Sequence, residues 1–172
     1  MSVTLRLFFA IPCPATLATE LGHWRDGLGL AGRPVPVENF HVTLAFLGGH
    51  PPDHLPLLAD IGARLDGAAF SLAFTTLERW RSGALVLTSD SPPAALMSLA
   101  ETLRHHLAEA GLPGEGRPYR PHLTLMRDAA PLSQPLPVDY ALTADRVGLY
   151  RSDSTSQGVR YHAVQSWPLT AP

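Results

Sequence analysis

The sequence contains no lysine, since arginine supplies all thirteen of its basic residues. That absence excludes the phosphate-binding lysine of a P-loop, a Schiff-base lysine, and the lysine that carries a nucleotide in ATP-dependent nucleic-acid ligases. The one cysteine, Cys13, excludes an internal disulfide framework and a zinc site built from cysteines. The longest apolar runs, LFFAI and ALVL, are far too short to span a bilayer.

Charge is also scarce. The 172 residues carry a net charge of −2, with 16% charged and 45% apolar residues, which is typical of a globular protein. Binding to long nucleic acids needs many cationic contacts, so a polyanionic ligand must be small or held by a local basic patch. The N-terminal stretch MSVTLRLFFAIP has Arg6 inside its apolar run and no small-residue cleavage site. We therefore expect a first strand instead of a signal peptide, and a cytoplasmic protein with no membrane contact.

Periodicity along the chain predicts an α+β fold in a single domain of residues 1–172, monomeric for its size. Three segments have apolar residues at helical spacing: residues 14–29, PPDHLPLLADIGARL and PPAALMSLAETLRHHLAEAG. Alternating segments predict strands at residues 3–11, HVTLAFL, SLAFTTLERW, GALVLTS, HLTLMR, ALTADRVGLYRS and GVRYHAVQSWPL. The prolines of PLSQPLPVD predict an irregular loop, and DSTSQ predicts a polar connector. Hairpins outnumber helical crossovers, so largely antiparallel sheets are expected.

One pattern occurs twice: HVTL begins at His41 and HLTL begins at His122. In a strand, residues two apart point to the same face, so each histidine lies beside its threonine, Thr43 or Thr124. The alternate residues face the core and anchor each strand: Val42, Leu44, Leu123 and Leu125. Each copy follows a helix and a proline-bearing loop, which favours two lobes that each contribute one such strand to a central cleft.

Two imidazoles and two hydroxyls around one point suit metal-free cleavage of a phosphodiester. One neutral imidazole takes a proton from water as general base, and one protonated imidazole gives a proton to the leaving oxygen as general acid. The hydroxyls hydrogen-bond the non-bridging oxygens and stabilise the developing charge. Histidine suits both roles because its ordinary pKa of about 6.5 lets either form exist near neutrality.

The sequence resembles the bacterial RNA 2′,3′-cyclic phosphodiesterases, also called 2′-5′ RNA ligases, of the two-histidine phosphoesterase superfamily. The resemblance runs nearly end to end and is carried by RLFFAIP, GRPVPVENFHVTLAFLG, RPYRPHLTLMRDA, LYRS and RYHAVQSWPL. It implies a bilobal fold in which two antiparallel sheets with pseudo-twofold symmetry line a central cleft, with helices outside. It also implies hydrolysis of the 2′,3′-cyclic phosphate on an RNA 3′ end to a 2′-phosphate, without metal or cofactor, and reversible 2′-5′ ligation.

The resemblance also implies roles for individual residues. His41 and Thr43 match the first family motif, and His122 and Thr124 match the second. We expect His41 to be the proton donor to the departing 3′ oxygen and His122 to be the proton acceptor from water. Arg127 matches an arginine that commonly follows the second motif.

Other residues near the motifs are candidate substrate contacts. Arg127 and Arg120 flank the second motif, and arginine binds phosphate with a planar fork. By alternation neither needs to share the histidine face, and Arg127 could instead end its strand in solvent. Phe46 and Tyr119 could stack on a nucleobase, as could Phe8 and Tyr150, with core packing as the alternative for each. His50 and His54 have zinc-like spacing, but the prolines between them favour a surface loop.

Three alternatives stay open at this point. The same machinery could act on 2′-5′ oligoadenylate or another nucleotide cyclic phosphate. The protein could bind RNA ends without turnover, although both complete motifs argue against that. A metal-dependent phosphodiesterase fits less well, because no cluster of carboxylates and histidines has ligand spacing.

Overall fold

The computed structural model describes residues 3–112, 114 and 116–171. These residues form three α-helices and nine β-strands. The helices are α1 Ala15–Gly27, α2 Leu55–Ala63 and α3 Ala94–Glu109. The strands are β1 Leu5–Pro12, β2 Arg33–Pro34, β3 His41–His50, β4 Phe70–Arg79, β5 Leu85–Thr88, β6 His122–Arg127, β7 Leu136–Ala144, β8 Arg146–Thr155 and β9 Gly158–Pro168.

Prolines and one glycine set the ends of the helices. Pro14 and Pro93 occupy the N-cap positions of α1 and α3, where a fixed φ and a missing N–H cost little. Gly111 follows α3 with a φ of +80°, a conformation that glycine adopts without strain. The predicted inward-facing positions of α3 are all buried: Leu96, Leu99, Leu103 and Leu107. The three predicted helices are therefore confirmed, with small shifts at their ends.

The strands form one sheet in the order β7-β4-β5-β6-β3-β1-β8-β9, and the short β2 pairs with β6. Neighbouring strands run antiparallel. We call β1, β3, β8 and β9 the first lobe and β4 to β7 the second lobe. In the described part of the chain, one residue pair, Val42 with Leu123, joins β3 to β6 and hence lobe to lobe. The predicted α+β class is confirmed, and the two expected sheets correspond to the two halves of this one.

The lobes repeat one arrangement. In each lobe a strand leads into a helix, and the next long strand carries the histidine motif. That motif strand pairs with the strand that precedes the helix. The three elements are β1, α1 and β3 in the first lobe and β5, α3 and β6 in the second. The apolar residues of both motif strands join the leucines of α3 in one buried core. The helices therefore cover the face of the sheet opposite the histidines.

Two loop predictions were wrong. PLSQPLPVD was expected to be irregular, but its last residues belong to β7, which lies at the edge of the sheet beside β4. An edge strand tolerates Pro137 because the missing N–H removes no hydrogen bond from a central ladder. DSTSQ was expected to be a connector, but β8 continues through its first three residues to Thr155 and β9 begins at Gly158, which leaves a two-residue hairpin turn.

The helices are short. Within the described residues, none combines the length and apolar character needed to cross a membrane.

Candidate active site

The two motifs meet at the junction of the lobes. Val42 and Leu123 oppose each other across β3 and β6, and both side chains are fully buried. His41 and His122 are their immediate neighbours and lie on the other face, partly exposed. Because the strands are antiparallel, this register directs the histidine of each motif towards the threonine of the other. Opposed side chains start about 5 Å apart at Cβ, so the four polar groups converge on one point.

His41 is held at both ring nitrogens. Its Nδ1 lies 2.7 Å from the backbone oxygen of Asn39. A carbonyl oxygen can only accept a hydrogen bond, so Nδ1 carries the hydrogen. Its Nε2 lies 2.8 Å from Oγ1 of Thr43. Asn39 is itself buried, with its amide bonded to the backbone of Val159 and Tyr161 in β9. The orientation of the first imidazole is therefore tied to the far edge of its lobe.

His122 repeats this geometry. Its Nδ1 donates to the backbone oxygen of Arg120 at 2.9 Å, again two residues earlier, which leaves Nε2 directed away from the main chain. The ring packs against Trp80, with the ring centres 4.4 Å apart. Both imidazoles thus hold their hydrogen on Nδ1 and keep Nε2 for proton transfer, although Nε2 of His41 accepts the hydroxyl hydrogen of Thr43 in the ligand-free protein.

Both imidazoles have lowered pKa values. Burial lowers the pKa of His41 to about 4, against the hydrogen bond to Asn39, and the nearby His122 and Arg127 lower it further. Burial also lowers the pKa of His122, again with a contribution from Arg127 and, more weakly, Arg120. Arg127 therefore acts on both histidines, and His122 acts on His41, which places the three side chains in one electrostatic environment. An anion bound among them would offset these repulsions and raise both pKa values.

Arg127 reaches this environment through an irregularity in β6. Strict alternation from the motif would put Arg127 on the buried face. The register with β5 shifts, however, so that Thr124 opposes Val86 whereas Met126 opposes Leu85. Met126 therefore points into the core and is buried, and Arg127 returns to the face of the motif, where it is exposed. Among the described residues, Arg127 has no carboxylate partner within ion-pair distance.

The other predicted substrate residues are placed differently. Tyr119 donates its hydroxyl hydrogen to the backbone oxygen of Thr43 at 2.7 Å, which ties the second motif to the first. Arg120 pairs with Glu78 at 2.8 Å. Phe46 opposes Phe8 in the sheet and is 49% exposed. Substrate contact by Tyr119 and Arg120 stays a prediction, and both side chains already make these internal bonds. The Phe46 ring is exposed and has the guanidinium of Arg6 over it at 5.4 Å.

Aromatic side chains surround His41. Phe8 lies 5.0 Å from its ring and Tyr161 lies 5.1 Å from it edge-on. Tyr150 stacks on Phe8 at 5.5 Å. Sequence reasoning missed Tyr161 and also Trp80 beside His122. Their proximity comes from the register of β9 on β8 and of β4 on β5, which no local pattern reveals.

Other titratable residues lie outside this cluster. His50 and His54 contact each other through Nδ1 at 3.0 Å at the end of β3. The described residues contain no group of three or more histidine, cysteine, aspartate or glutamate side chains placed to hold a metal ion. Burial raises the pKa of Cys13 to about 12, so its thiol stays protonated.

Comparison with known proteins shows the family to which this chain belongs. The chain is 35% identical to the RNA 2′,3′-cyclic phosphodiesterase of Escherichia coli K12 over 99% of each chain. It is 28% identical to the protein of the same name from Thermus thermophilus, over 96% of this chain and 90% of that one. The crystal structure of E. coli LigT complexed with 3′-AMP superposes with a TM-score of 0.89 at 34% identity, covering 98% of this chain and 99% of that one. The family model of the 2′-5′ RNA ligase superfamily matches residues 13–155. The chain belongs to the 2′-5′ RNA ligase superfamily.

Proposed function

We propose that this protein hydrolyses the 2′,3′-cyclic phosphate at the 3′ end of RNA to a 2′-phosphate, without a metal ion or other cofactor. The observation that carries the proposal is the Val42–Leu123 pair, which brings two histidine–threonine motifs to one point on one face of the sheet. The names of the E. coli and T. thermophilus relatives support the reaction.

The reaction needs one proton removed and one proton supplied. Water attacks phosphorus and gives its proton to Nε2 of His122, the general base. The bond from phosphorus to O3′ breaks, and Nε2 of His41 gives its proton to O3′, while O2′ keeps the phosphate. The backbone acceptors at Asn39 and Arg120 hold Nδ1 of each ring and leave each Nε2 for these transfers.

Three further side chains act on the phosphate. The hydroxyls of Thr43 and Thr124 donate to the non-bridging oxygens and fix phosphorus between the rings. Arg127 adds a positive charge near both histidines that no ion pair in the described chain neutralises. Phe46, exposed on the same face, stacks on the base of the terminal nucleotide.

The lowered pKa of His41 bears on its role as acid. In the ligand-free site an imidazole with a pKa of about 4 is neutral at neutral pH. The cyclic phosphate is an anion, and its charge beside Nε2 favours the protonated ring. His41 therefore acquires its proton together with the substrate.

Joining follows from the same geometry. If a hydroxyl of a second RNA replaces water, the same step produces a 2′-5′ linkage instead of a 2′-phosphate. This step needs neither ATP nor a lysine nucleophile, which agrees with a chain that has no lysine.

A short RNA ending in a 2′,3′-cyclic phosphate tests the proposal. Phosphorus NMR should show conversion of the cyclic phosphate to a 2′-phosphate monoester, at an unchanged rate with a chelator present. 2′-5′ oligoadenylate and other nucleotide cyclic phosphates are assayed in parallel, and faster turnover of one of these would assign the same machinery to it. Binding of the RNA end without turnover would instead identify a binding module.

We further propose that the protein acts as a monomer in the cytoplasm. Its partners are RNA 3′ ends, and it does not bind a membrane. Size-exclusion chromatography with light scattering should give a mass near 18.5 kDa, and a mass of twice that value would contradict the monomer.

A further inference from the structure

A depression lies on the second lobe, on the side of His122. A cavity of about 280 Å³ separates the end of β4 from the loop 131–135 that leads into β7. Its lining combines the carboxylate of Glu78, the guanidinium of Arg79 and the polar side chains of Ser133 and Gln134 with apolar surface from Leu132 and two prolines. Polar and apolar surface are mixed in this lining, which offers hydrogen-bonding groups to the edge of a flat, heteroatom-rich ring and apolar contact to its face.

Glu78 connects this cavity to His122. Its carboxylate accepts hydrogen bonds from Arg120 at 2.8 and 3.0 Å and from Nε1 of Trp80 at 3.3 Å. The guanidinium of Arg120 lies over the Trp80 ring at 5.2 Å, and Trp80 packs on His122. One run of contacts, from Glu78 through Arg120 and Trp80, therefore links the edge of the cavity to the imidazole of His122.

The distance between the cavity and the second motif also fits one nucleoside. Glu78 opposes Val86 in the sheet, and Val86 opposes Thr124 of the second motif. Two strand spacings place Glu78 about 10 Å from Thr124. A nucleoside spans that distance from its 5′ oxygen to the far edge of its base.

We propose that this cavity binds the nucleoside that supplies the attacking 5′-hydroxyl when the protein joins RNA ends. The inference rests on the proposed function, in which His122 removes the proton from the attacking oxygen. The attacking group must approach on the His122 side, which is where the cavity lies.

The charge of the cavity agrees with this ligand. Burial opposes ionisation of Glu78, but hydrogen bonds from Thr88 and Arg120 outweigh it and hold the pKa of the carboxyl below its ordinary value. The lining carries one carboxylate, from Glu78, and one guanidinium, from Arg79, so its charges balance, which agrees with an uncharged nucleoside that has a free 5′-hydroxyl.

The joining step balances without another reactant. The 5′ oxygen forms a bond to phosphorus and gives its proton to Nε2 of His122. The bond from phosphorus to O3′ breaks, and Nε2 of His41 gives its proton to O3′. The product is a 2′-5′ phosphodiester.

The chain offers a matched pair of variants for the test. Ser133→Ala with Gln134→Ala removes two polar side chains from the cavity, whereas Ser156→Ala with Gln157→Ala removes the same pair from the exposed hairpin turn. A nucleoside 2′,3′-cyclic phosphate is incubated with 2′,3′-dideoxyadenosine, whose hydroxyl is the 5′ one, and hydrolysis and joining are measured together. Methanol serves as an acceptor without a base.

We expect the cavity variant to join dideoxyadenosine at least about five-fold less well, the effect of losing one or two hydrogen bonds. Its hydrolysis and its transfer to methanol should match those of the wild-type protein and of the hairpin variant. Unchanged joining, equal loss of joining and hydrolysis, or hydrolysis without any joining by the wild-type protein would each overturn the inference and leave the proposed hydrolysis standing. Absence of hydrolysis as well as joining would overturn both.

Discussion

The hydroxyl of Tyr119 donates to the backbone oxygen of Thr43 at 2.7 Å, so the residue three places before the second histidine is fastened to the first motif. This bond crosses from the second lobe to the first, close to the Val42–Leu123 pair. It therefore helps to fix the separation of the two imidazoles.

Removing that bond should weaken both stability and turnover. Tyr119→Phe is expected to lower the free energy of unfolding by about 1 kcal/mol, the usual contribution of one hydrogen bond. It should also lower kcat several-fold more than it changes KM, because the histidines are less well aligned. Urea denaturation and steady-state kinetics measure the two effects. Tyr140→Phe is the control, and an equal response in that variant would contradict the cross-lobe role.

Each of the two imidazoles should be required for hydrolysis of the cyclic phosphate. His41→Ala and His122→Ala are each expected to lower kcat for the cyclic phosphate by about 10²–10⁴-fold, as for loss of a general acid or base. His162→Ala, at an exposed position paired with Asp153, should leave kcat unchanged. Near-full hydrolysis by either of the first two variants would refute the mechanism.

A substrate with a good leaving group should show which histidine is the general acid and which is the general base. With a 4-nitrophenyl phosphodiester, the leaving group departs without needing a proton, so the loss caused by His41→Ala should shrink while that caused by His122→Ala persists. The release of nitrophenolate is followed by absorbance. The opposite pattern would exchange the two roles.

Arg127 should act through its charge. Arg127→Ala is expected to lower kcat/KM by about 10–100-fold, the range for a lost hydrogen bond to a charged group. Because Arg127 lowers the pKa of both histidines, its removal should raise both values in the ligand-free protein. Arg33→Ala, across the strand pair and bonded to Asp128, is the matched control. A pKa that stays fixed in Arg127→Ala would place this side chain away from the site.

The pKa of His41 should also appear in the pH dependence of stability. The folded value is about 4 and the unfolded value is about 6.5, so the unfolded chain binds the proton first. Stability is then complete above pH 6.5 and is lost as the pH falls towards 4, by about 2 kcal/mol after allowance for solvent at the partly open ring. Denaturation between pH 7 and 4, with His41→Gln as the comparison, measures this change. An equal pH dependence in both proteins would contradict it.

Much of this arrangement could be predicted from the sequence. Alternation placed His41 with Thr43 and His122 with Thr124, and the buried residues between them anchor each strand as expected. Arg127 could not be placed, because the register shift at Met126 depends on how β5 packs against β6. Tyr161 and Trp80 were missed for a similar reason, since only pairing between distant segments brings them to the imidazoles. The start of β7 was missed because the tolerance for Pro137 depends on an edge position that the local sequence does not reveal, and the predicted strand ALTADRVGLYRS is divided between the end of β7 and β8.

The backbone oxygens of Asn39 and Arg120 choose which ring nitrogen of each histidine bears its hydrogen. Peptide carbonyls are present whatever side chain stands at those two positions. No single amino-acid replacement there can delete the acceptor itself, so mutation reaches this control only by displacing the chain. Each imidazole consequently keeps the same tautomer even when the residues that supply the acceptors are replaced during evolution.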